Sequence, residues 1–300
     1  TIAIISPRLT YDYLKKNTPK STDPRSANWW QNYPKYAVSL LKSWYGDKAA
    51  KENDDGYEWV PKLDDGQDAS VMYLFDQMYE KKIKGFMCIA QNPACSLPNS
   101  NKVRKAMANL DWFVHVNIFD NETASFWKGP GMDPKKIKTE VFLLPASASV
   151  EKEGSQTNSG RWVQWKYRAA DPPGDAISTG DIVYRIMAKV KELYKKQKGG
   201  RFPEPILNLK WDYADEKGNF SALKVAKAVN GYFLEDVTVG DKVYKKGDCV
   251  PSFALLQADG KTSSGCWISC GSFAQDGTNL MARRKKDRKS TRLNSSHRTV

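Results

Sequence analysis

Histidine is almost absent: of 300 residues, only His115 and His297 carry an imidazole. A Ser-His-Asp triad, a Cys-His dyad or a histidine-rich metal centre would have to run through His115 alone, so independent hydrolase chemistry has little to stand on. Cys88, Cys95, Cys249, Cys266 and Cys270 make an odd number of cysteines with no Cys-x-x-Cys pair, which points to neither a disulfide framework nor a zinc ribbon. Cys266 and Cys270 form a single pair, weak as a metal-site signal. No stretch approaches the roughly 20 apolar residues of a membrane helix, and no internal repeat is visible. The opening Thr1-Ile2-Ala3-Ile4-Ile5 lacks an initiator Met, a basic leader and a cleavage site, and reads as chain already in progress.

What is present argues for a folded protein. A 40% apolar share and ten tryptophans suffice for the core of one large or two modest domains. The formal charge of +13 invites a nucleic-acid-binding or scaffold reading, yet eight lysines and arginines and one aspartate fall in residues 283–300. The basic excess is thus largely a property of the tail. Within that tail, Asp287–His297 (DRKSTRLNSSH) is, codon by codon, the translation of a widely used sequencing adapter. Residues 285–300 are therefore expected to be a disordered, artefactual tail, and no nucleic-acid partner is expected.

Along the chain, the pattern alternates helices with apolar strands. Pro34 is expected to start a helix that Gly46 ends, and Asp68 to cap a second with Val71, Met72, Leu74, Phe75 and Met78 on its apolar side. Phe86–Ala90 and Trp112–Phe119 read as strands, with Cys88 in the core and His115 a core or edge histidine, and a helix between them from about Asn99 to Leu110. Asn121–Ser125 starts a short helix with polar groups. Thr179–Lys196 is a helix with Thr179 as cap and a stripe of Ile182, Val183, Ile186, Val190 and Leu193. Residues 198–265 alternate Gly/Asp turns with short apolar runs, such as Asp236–Val250, and suggest hairpins. Gly265–Ile268 looks strand-like again. A continuous apolar strand preceded by a helix implies an α/β fold: an open, mostly parallel sheet flanked by helices, with an irregular insertion of short strands. The expected division is 1–197 for the α/β domain, 198–265 for the insertion, 266–284 for a return to the core and 285–300 for the tail.

Two stretches carry chemistry. Val141–Leu144 predicts a short buried strand closed by Pro145, and past it lie Glu151–Ser155 and Thr157–Arg161, polar and glycine-rich. Ligands of open α/β sheets sit just beyond the carboxyl ends of strands. Gly154 and Gly160 permit close approach, and Arg161 offers a planar fork for phosphate or carboxylate. The same residues also suit a solvated turn. The second stretch is Gln91–Pro98, a polar loop between strand and helix, a geometry suited to phosphate groups; without more, it equally suits a plain proline turn.

The run Glu151–Trp165 (EKEGSQTNSGRWVQW) resembles the molybdopterin oxidoreductase superfamily, and within it the large (alpha) subunit of respiratory formate dehydrogenases. Trp29–Gly46 (WWQNYPKYAVSLLKSWYG), Ala90–Val103 (AQNPACSLPNSNKV), Glu122–Trp127 (ETASFW) and Ser263–Arg284 (SSGCWISCGSFAQDGTNLMARR) resemble the same subunit in the same order. The resemblance spans about Tyr11 to Arg284 and implies an internal fragment of such a subunit. A nitrate or polysulfide reductase of the same superfamily is the alternative, disfavoured by the TNSGRWVQW and WWQNYPKY runs.

That resemblance implies oxidation of formate to carbon dioxide at molybdenum or tungsten. The metal is held by two pterin guanine dinucleotides and a cysteine or selenocysteine, and electrons leave through a 4Fe-4S cluster. The cluster and metal ligands are implied to lie outside this fragment, so neither catalytic nor metal-binding residues are expected in it. Expected cofactor-lining residues are Gln91, Asn92 and Ser96 in the first loop, Asn117, Thr123 beside the second loop, and Glu153, Gly154, Asn158 and Arg161 in the central stretch. Family members carry an acid where Asn117 stands, which pairs with a guanine edge; Asp120 nearby is a candidate to compensate. Implied partners are an iron–sulfur electron-transfer subunit and a membrane cytochrome subunit, with a periplasmic or membrane-associated location.

Overall fold

The computed structural model describes residues 16, 20–23, 26, 28–62, 68, 70–159, 162–197, 200–282 and 298–299. The expectations for Thr1–Ile5, Arg161 and most of the tail lie outside these. In chain order the described elements are helices α1 (Trp29–Tyr45), α2 (Val71–Tyr79), α3 (Pro93–Ser96), α4 (Ser100–Met107), α5 (Thr179–Lys196), α6 (Pro203–Leu207) and α7 (Ala222–Asn230). The strands are β1 (Gly85–Ile89), β2 (Trp112–Asn117), β3 (Glu140–Pro145), β4 (Gly154–Thr157), β5 (Trp162–Lys166), β6 (Tyr232–Phe233), β7 (Val237–Val239), β8 (Lys242–Tyr244), β9 (Thr262–Ser263) and β10 (Arg298–Thr299). They fall into two compact units. One comprises Gly66–Lys152 and Arg168–Val183, the other Thr1–Asp65, Glu153–Tyr167 and Tyr184–Val300.

The first of these is the α/β unit. Its sheet has the order β1-β2-β3, all parallel, with Cys88 opposite His115 and His115 opposite Leu143. Side chains alternate across a sheet, so Phe86, Cys88, Phe113 and Val141 share the face packed against Phe75, Met78, Val103, Ala106, Met107, Leu110 and Phe126. Thr139 ties the start of β3 to this layer, its hydroxyl donating to the Met107 and Leu110 carbonyls. Ser70 is the cap of α2, accepting from the Tyr73 N–H, while Asp68 instead accepts from Ser70 itself. The cap must lie directly before the first helical residue, and Asp68 stands two positions too early.

β3 departs from the expected buried strand. It is an edge of the described sheet, and Phe142 and Leu143 remain 44% and 47% exposed. An apolar run alone does not say how many faces are covered. The turn after β2 is also not an α-helix: Glu122–Ser125 is a hydrogen-bonded turn, followed by a 3-10 turn at Phe126–Lys128. α5 has its expected bounds, yet Ser178 occupies the cap position, its hydroxyl accepting from the Asp181 N–H. Of its expected stripe only Ile182 is buried.

In the other unit, α1 begins ahead of Pro34, because Asn28 caps it by accepting from the Gln31 N–H. Pro34 sits inside the helix; it can donate no backbone bond, and Tyr33, Ala37, Leu40, Leu41 and Tyr45 packed in one core offset that loss. Tyr36 stacks on Trp267 with ring centroids 4.6 Å apart. β4 and β5 form an antiparallel hairpin, and Arg298–Thr299 pair along the other edge of β5. β7 and β8 form the expected hairpin within Asp236–Val250. The strand-like Gly265–Ile268 is instead bent into a 3-10 turn at Trp267–Ser269, which lets Trp267 reach Tyr36.

One buried amide organises this unit. Asn230, at the end of α7 and fully buried, donates to the carbonyls of Gly231 and Val250 and accepts from the N–H groups of Gly271 and Phe273. All four bonds join α7 to segments twenty or more residues away or to its own exit turn. Next to it Gly231 has φ +104°, and a Cβ there would stand 2.1 Å from the Ser263 carbonyl oxygen. Only glycine fits.

Candidate functional site

In the α/β unit two loops leave the carboxyl ends of β1 and β2 side by side. Ala90 turns the chain with φ +56°, and Gln91 follows exposed, its carbonyl accepting from the Cys88 thiol. Asn92 then spans the gap. Its side-chain oxygen accepts from the Thr123 N–H (3.2 Å) and hydroxyl (2.8 Å), and its amide donates to Glu122 (2.7 Å). The hydroxyl of Thr123 also accepts from the Ala94 N–H. This bond to Asn92 holds the Glu122 carboxyl below its usual range. Ser96 is exposed and its hydroxyl turns back to the Asn92 carbonyl.

Gln91, Asn92, Ser96, Asn117 and Thr123 therefore come together in one loop cluster, but with different roles. Thr123 is fully buried and braces the loops from beneath. Gln91 and Ser96 present exposed side chains. Sequence reasoning took Asn121 only as the start of a short helix; its side-chain oxygen accepts from the N–H groups of Thr123 and Ala124 and shapes the second loop. An Asn directly after a strand, able to bond the backbone two residues on in an Asx-turn, is the signal that would have marked it.

Beyond the strand ends lies a pocket of about 190 Å³, lined by His115, Asn117, Ile118, Phe119, Asp120, Ala124, Leu143, Leu144 and Pro145. Asn117 is tied down at both ends. Its oxygen accepts from the Ile118 N–H at 2.8 Å, which turns its amide nitrogen to His115 Nε2 at 3.2 Å. His115 Nε2 thus accepts and the ring proton rests on Nδ1, a buried atom without a partner. His115 is 2% exposed, and burial pushes its pKa below the usual value, opposed by the negative charge of Asp120. Asp120 pairs with Lys128 only at 3.9 Å, both side chains being more than half exposed.

The central stretch is divided. Glu153, Gly154 and Asn158 belong to the hairpin of the other unit. There Glu153 accepts from the indole N–H of Trp165 at 2.8 Å, Gly154 pairs with Lys166, and the exposed Asn158 closes the turn onto Trp162. Arg161 lies outside the described residues. That unit also holds a broader cleft of about 620 Å³, with Lys42, Lys48, Lys210, Lys246, Asp47 and Asp212 in its wall. None of the sequence-predicted site residues lines it. Among the described residues no three His, Cys, Asp or Glu side chains group as metal ligands, and no helix is long and apolar enough to cross a membrane.

A parallel α/β sheet with a largely apolar pocket beyond its strand ends is the arrangement in which open α/β sheets bind ligands. No protein-family model matches the chain. It is 52% identical over 279 residues, 92% of its length, to the formate dehydrogenase subunit alpha of Megalodesulfovibrio gigas. Over 91% of its length it is 47% identical to the formate dehydrogenase 2 subunit alpha (cytochrome c-553) of Nitratidesulfovibrio vulgaris. Over the same share it is 43% identical to the formate dehydrogenase-O major subunit of Escherichia coli. The chain belongs to the formate dehydrogenase alpha subunits, a family of oxidoreductases, and spans about a quarter of the length of these relatives (27% of the first).

Proposed function

We propose that this chain is part of the catalytic subunit of a formate dehydrogenase and that its own contribution is to bind a pterin guanine dinucleotide. The observation that carries the reading is identity of 43–52% along more than nine-tenths of the chain to formate dehydrogenase alpha subunits. When bound, the metal–pterin group supplies the two-electron chemistry that converts formate to carbon dioxide, with molybdenum or tungsten as the metal. The chain's residues bind and orient.

The donor set suits that group in part. A pocket of about 190 Å³ has room for one heterocyclic base, and it already contains a buried imidazole N–H without a partner. Gln91 and Ser96 offer exposed polar side chains on the loop after β1, while Asn92 and Thr123 set the spacing of the two loops. Glu153, Gly154, Asn158 and Arg161 are proposed, on the resemblance of their run, as further pterin-guanine-dinucleotide-binding residues. No described residue is proposed to be catalytic. The 4Fe-4S cluster, the metal's cysteine or selenocysteine ligand, an iron–sulfur subunit and a membrane cytochrome subunit belong to the proposed whole enzyme.

A chimera tests this. Residues 11–284 replace the matching segment of a full-length relative, and formate-dependent dye reduction is measured alongside metal content. Activity within about tenfold of the parent supports the reading. A folded chimera that carries neither metal nor activity overturns it.

A further inference from the structure

We propose that the cleft of about 620 Å³ in the other unit is a binding site for a small anion carrying two or more phosphate groups. It does not depend on the cofactor reading, since none of the residues proposed for the pterin dinucleotide lines it. Its wall comes chiefly from four pieces of chain far apart in sequence: the end of α1 with the turn after it, residues 208–213, β6, and the turn after β8. Three of these bring lysines, namely Lys42 and Lys48, then Lys210, then Lys246. The fold thus gathers like charges that repel one another.

Those charges are only partly answered. Lys42 donates to the Ala49 carbonyl, and Lys210 faces Asp212 across 3.7 Å with both side chains more than half exposed. An exposed pair of that kind is weak. Lys48 and Lys246 have no acidic partner among the described residues. Against four lysines the described wall sets two carboxylates, Asp47 and Asp212, leaving an excess of two positive charges. A concave wall of one sign concentrates its field on the space it encloses, and the volume is that of a small-molecule site.

The donors select the anion. Among the described residues no arginine lines the cleft, so the planar two-bond fork that suits a carboxylate is missing. Lysine acts as a point charge and suits the dense charge of neighbouring phosphates. Tyr213 and Tyr232 add hydroxyls with no hydrogen-bond partner among the described residues. Burial raises both phenol pKa values, so each keeps a proton to donate.

The test uses the full chain with tripolyphosphate as probe, in titration calorimetry at two salt concentrations. The wild type is expected to take up one tripolyphosphate, more weakly as salt rises. Lys48→Gln combined with Lys246→Gln is expected to weaken binding about tenfold or more, the loss of at least one charge-assisted bond. Tyr232→Phe, which leaves the charge unchanged, weakens it several-fold. Lys105→Gln removes the same charge from an exposed position on α4 and is expected to bind as wild type. Thermal unfolding checks that each variant folds, and the probe should raise the midpoint of wild type but not of the double variant. A sugar bisphosphate bound more tightly than tripolyphosphate keeps the site and identifies a phosphate ester as its ligand. Full binding by the double variant puts the anion elsewhere, such as the basic residues 283–300, and overturns the proposal. Equally tight binding of a glutamate peptide of the same charge also overturns it, making the cleft a dock for an acidic protein segment.

Discussion

The hydroxyl of Thr123 donates to the side-chain oxygen of Asn92 over 2.8 Å and accepts the Ala94 N–H at 2.9 Å. One buried oxygen thereby latches the loop after β1 to the loop after β2. Thr123→Val keeps the shape and removes both bonds, leaving the Ala94 N–H buried without an acceptor. A loss of about 1–3 kcal/mol is expected in urea unfolding, with Thr123→Ser close to wild type. Equal stability of the valine variant would show that the latch does not hold the loops.

The four bonds of Asn230 predict a larger effect. Asn230→Ala removes all four bonds and leaves the Phe273 N–H without its acceptor, while the Gly231 carbonyl keeps the Val250 N–H and the Val250 carbonyl keeps the Gly271 N–H; with the small void it opens, a loss of about 3 kcal/mol is expected. Denaturant titration measures it. Asn230→Asp is expected to be nearly as harmful, since a carboxylate cannot donate to Gly231 and Val250.

At Gly231 the obstacle is backbone rather than side chain. Gly231→Ala must move the Ser263 carbonyl, 2.1 Å from the new methyl, and adopt a φ of +104°. The expected outcome is a thermal midpoint lowered by many degrees or insoluble expression, whereas Gly240→Ala, with nothing within 4 Å, should lose far less.

His115 gives a pH dependence with a definite sign. Its folded pKa lies below the unfolded value of about 6.5, so the unfolded chain binds the proton more readily. Its contribution to stability is complete above that value and is lost as pH falls toward the folded pKa. Unfolding free energy measured from pH 8 to 5 should fall more steeply for wild type than for His115→Gln. Parallel curves would assign the slope to other groups.

The thiols differ in reach. Cys95 is exposed, while Cys88, Cys249 and Cys270 are buried, and burial lifts the Cys270 thiol to about 12. Iodoacetamide on the native protein, read by mass spectrometry, should label Cys95 first and Cys270 only after denaturation. Early labelling of Cys270 would contradict its packing against Asn230 and Ser264.

Much of the α/β unit was legible because its signals are local. The helical period of Thr179–Lys196 places α5, although Ser178 rather than Thr179 caps it, and the apolar run around His115 places β2 while leaving its imidazole either in the core or at an edge. Pro34 misled because a proline that starts a helix and one tolerated inside it look alike until Asn28 is seen to cap. β3 misled because exposure depends on what lies across the sheet. The hub at Asn230 had no local signal at all: its partners Val250, Gly271 and Phe273 are distant in sequence. The central stretch reads as one run, and the chain changes unit between Lys152 and Glu153, which puts Glu153, Gly154 and Asn158 together on one side of that boundary.

That change of unit recurs between Asp65 and Gly66, between Tyr167 and Arg168 and between Val183 and Tyr184. Neither unit is a continuous piece of polypeptide, so neither can be cut out as a simple gene segment. A nascent chain has made the described α/β unit, through Val183, before the Tyr184–Val300 part of the other is available, and must keep the segment before Gly66 waiting for partners that begin only at Glu153. Stability measured on a truncation would then report on an orphaned half rather than on a domain.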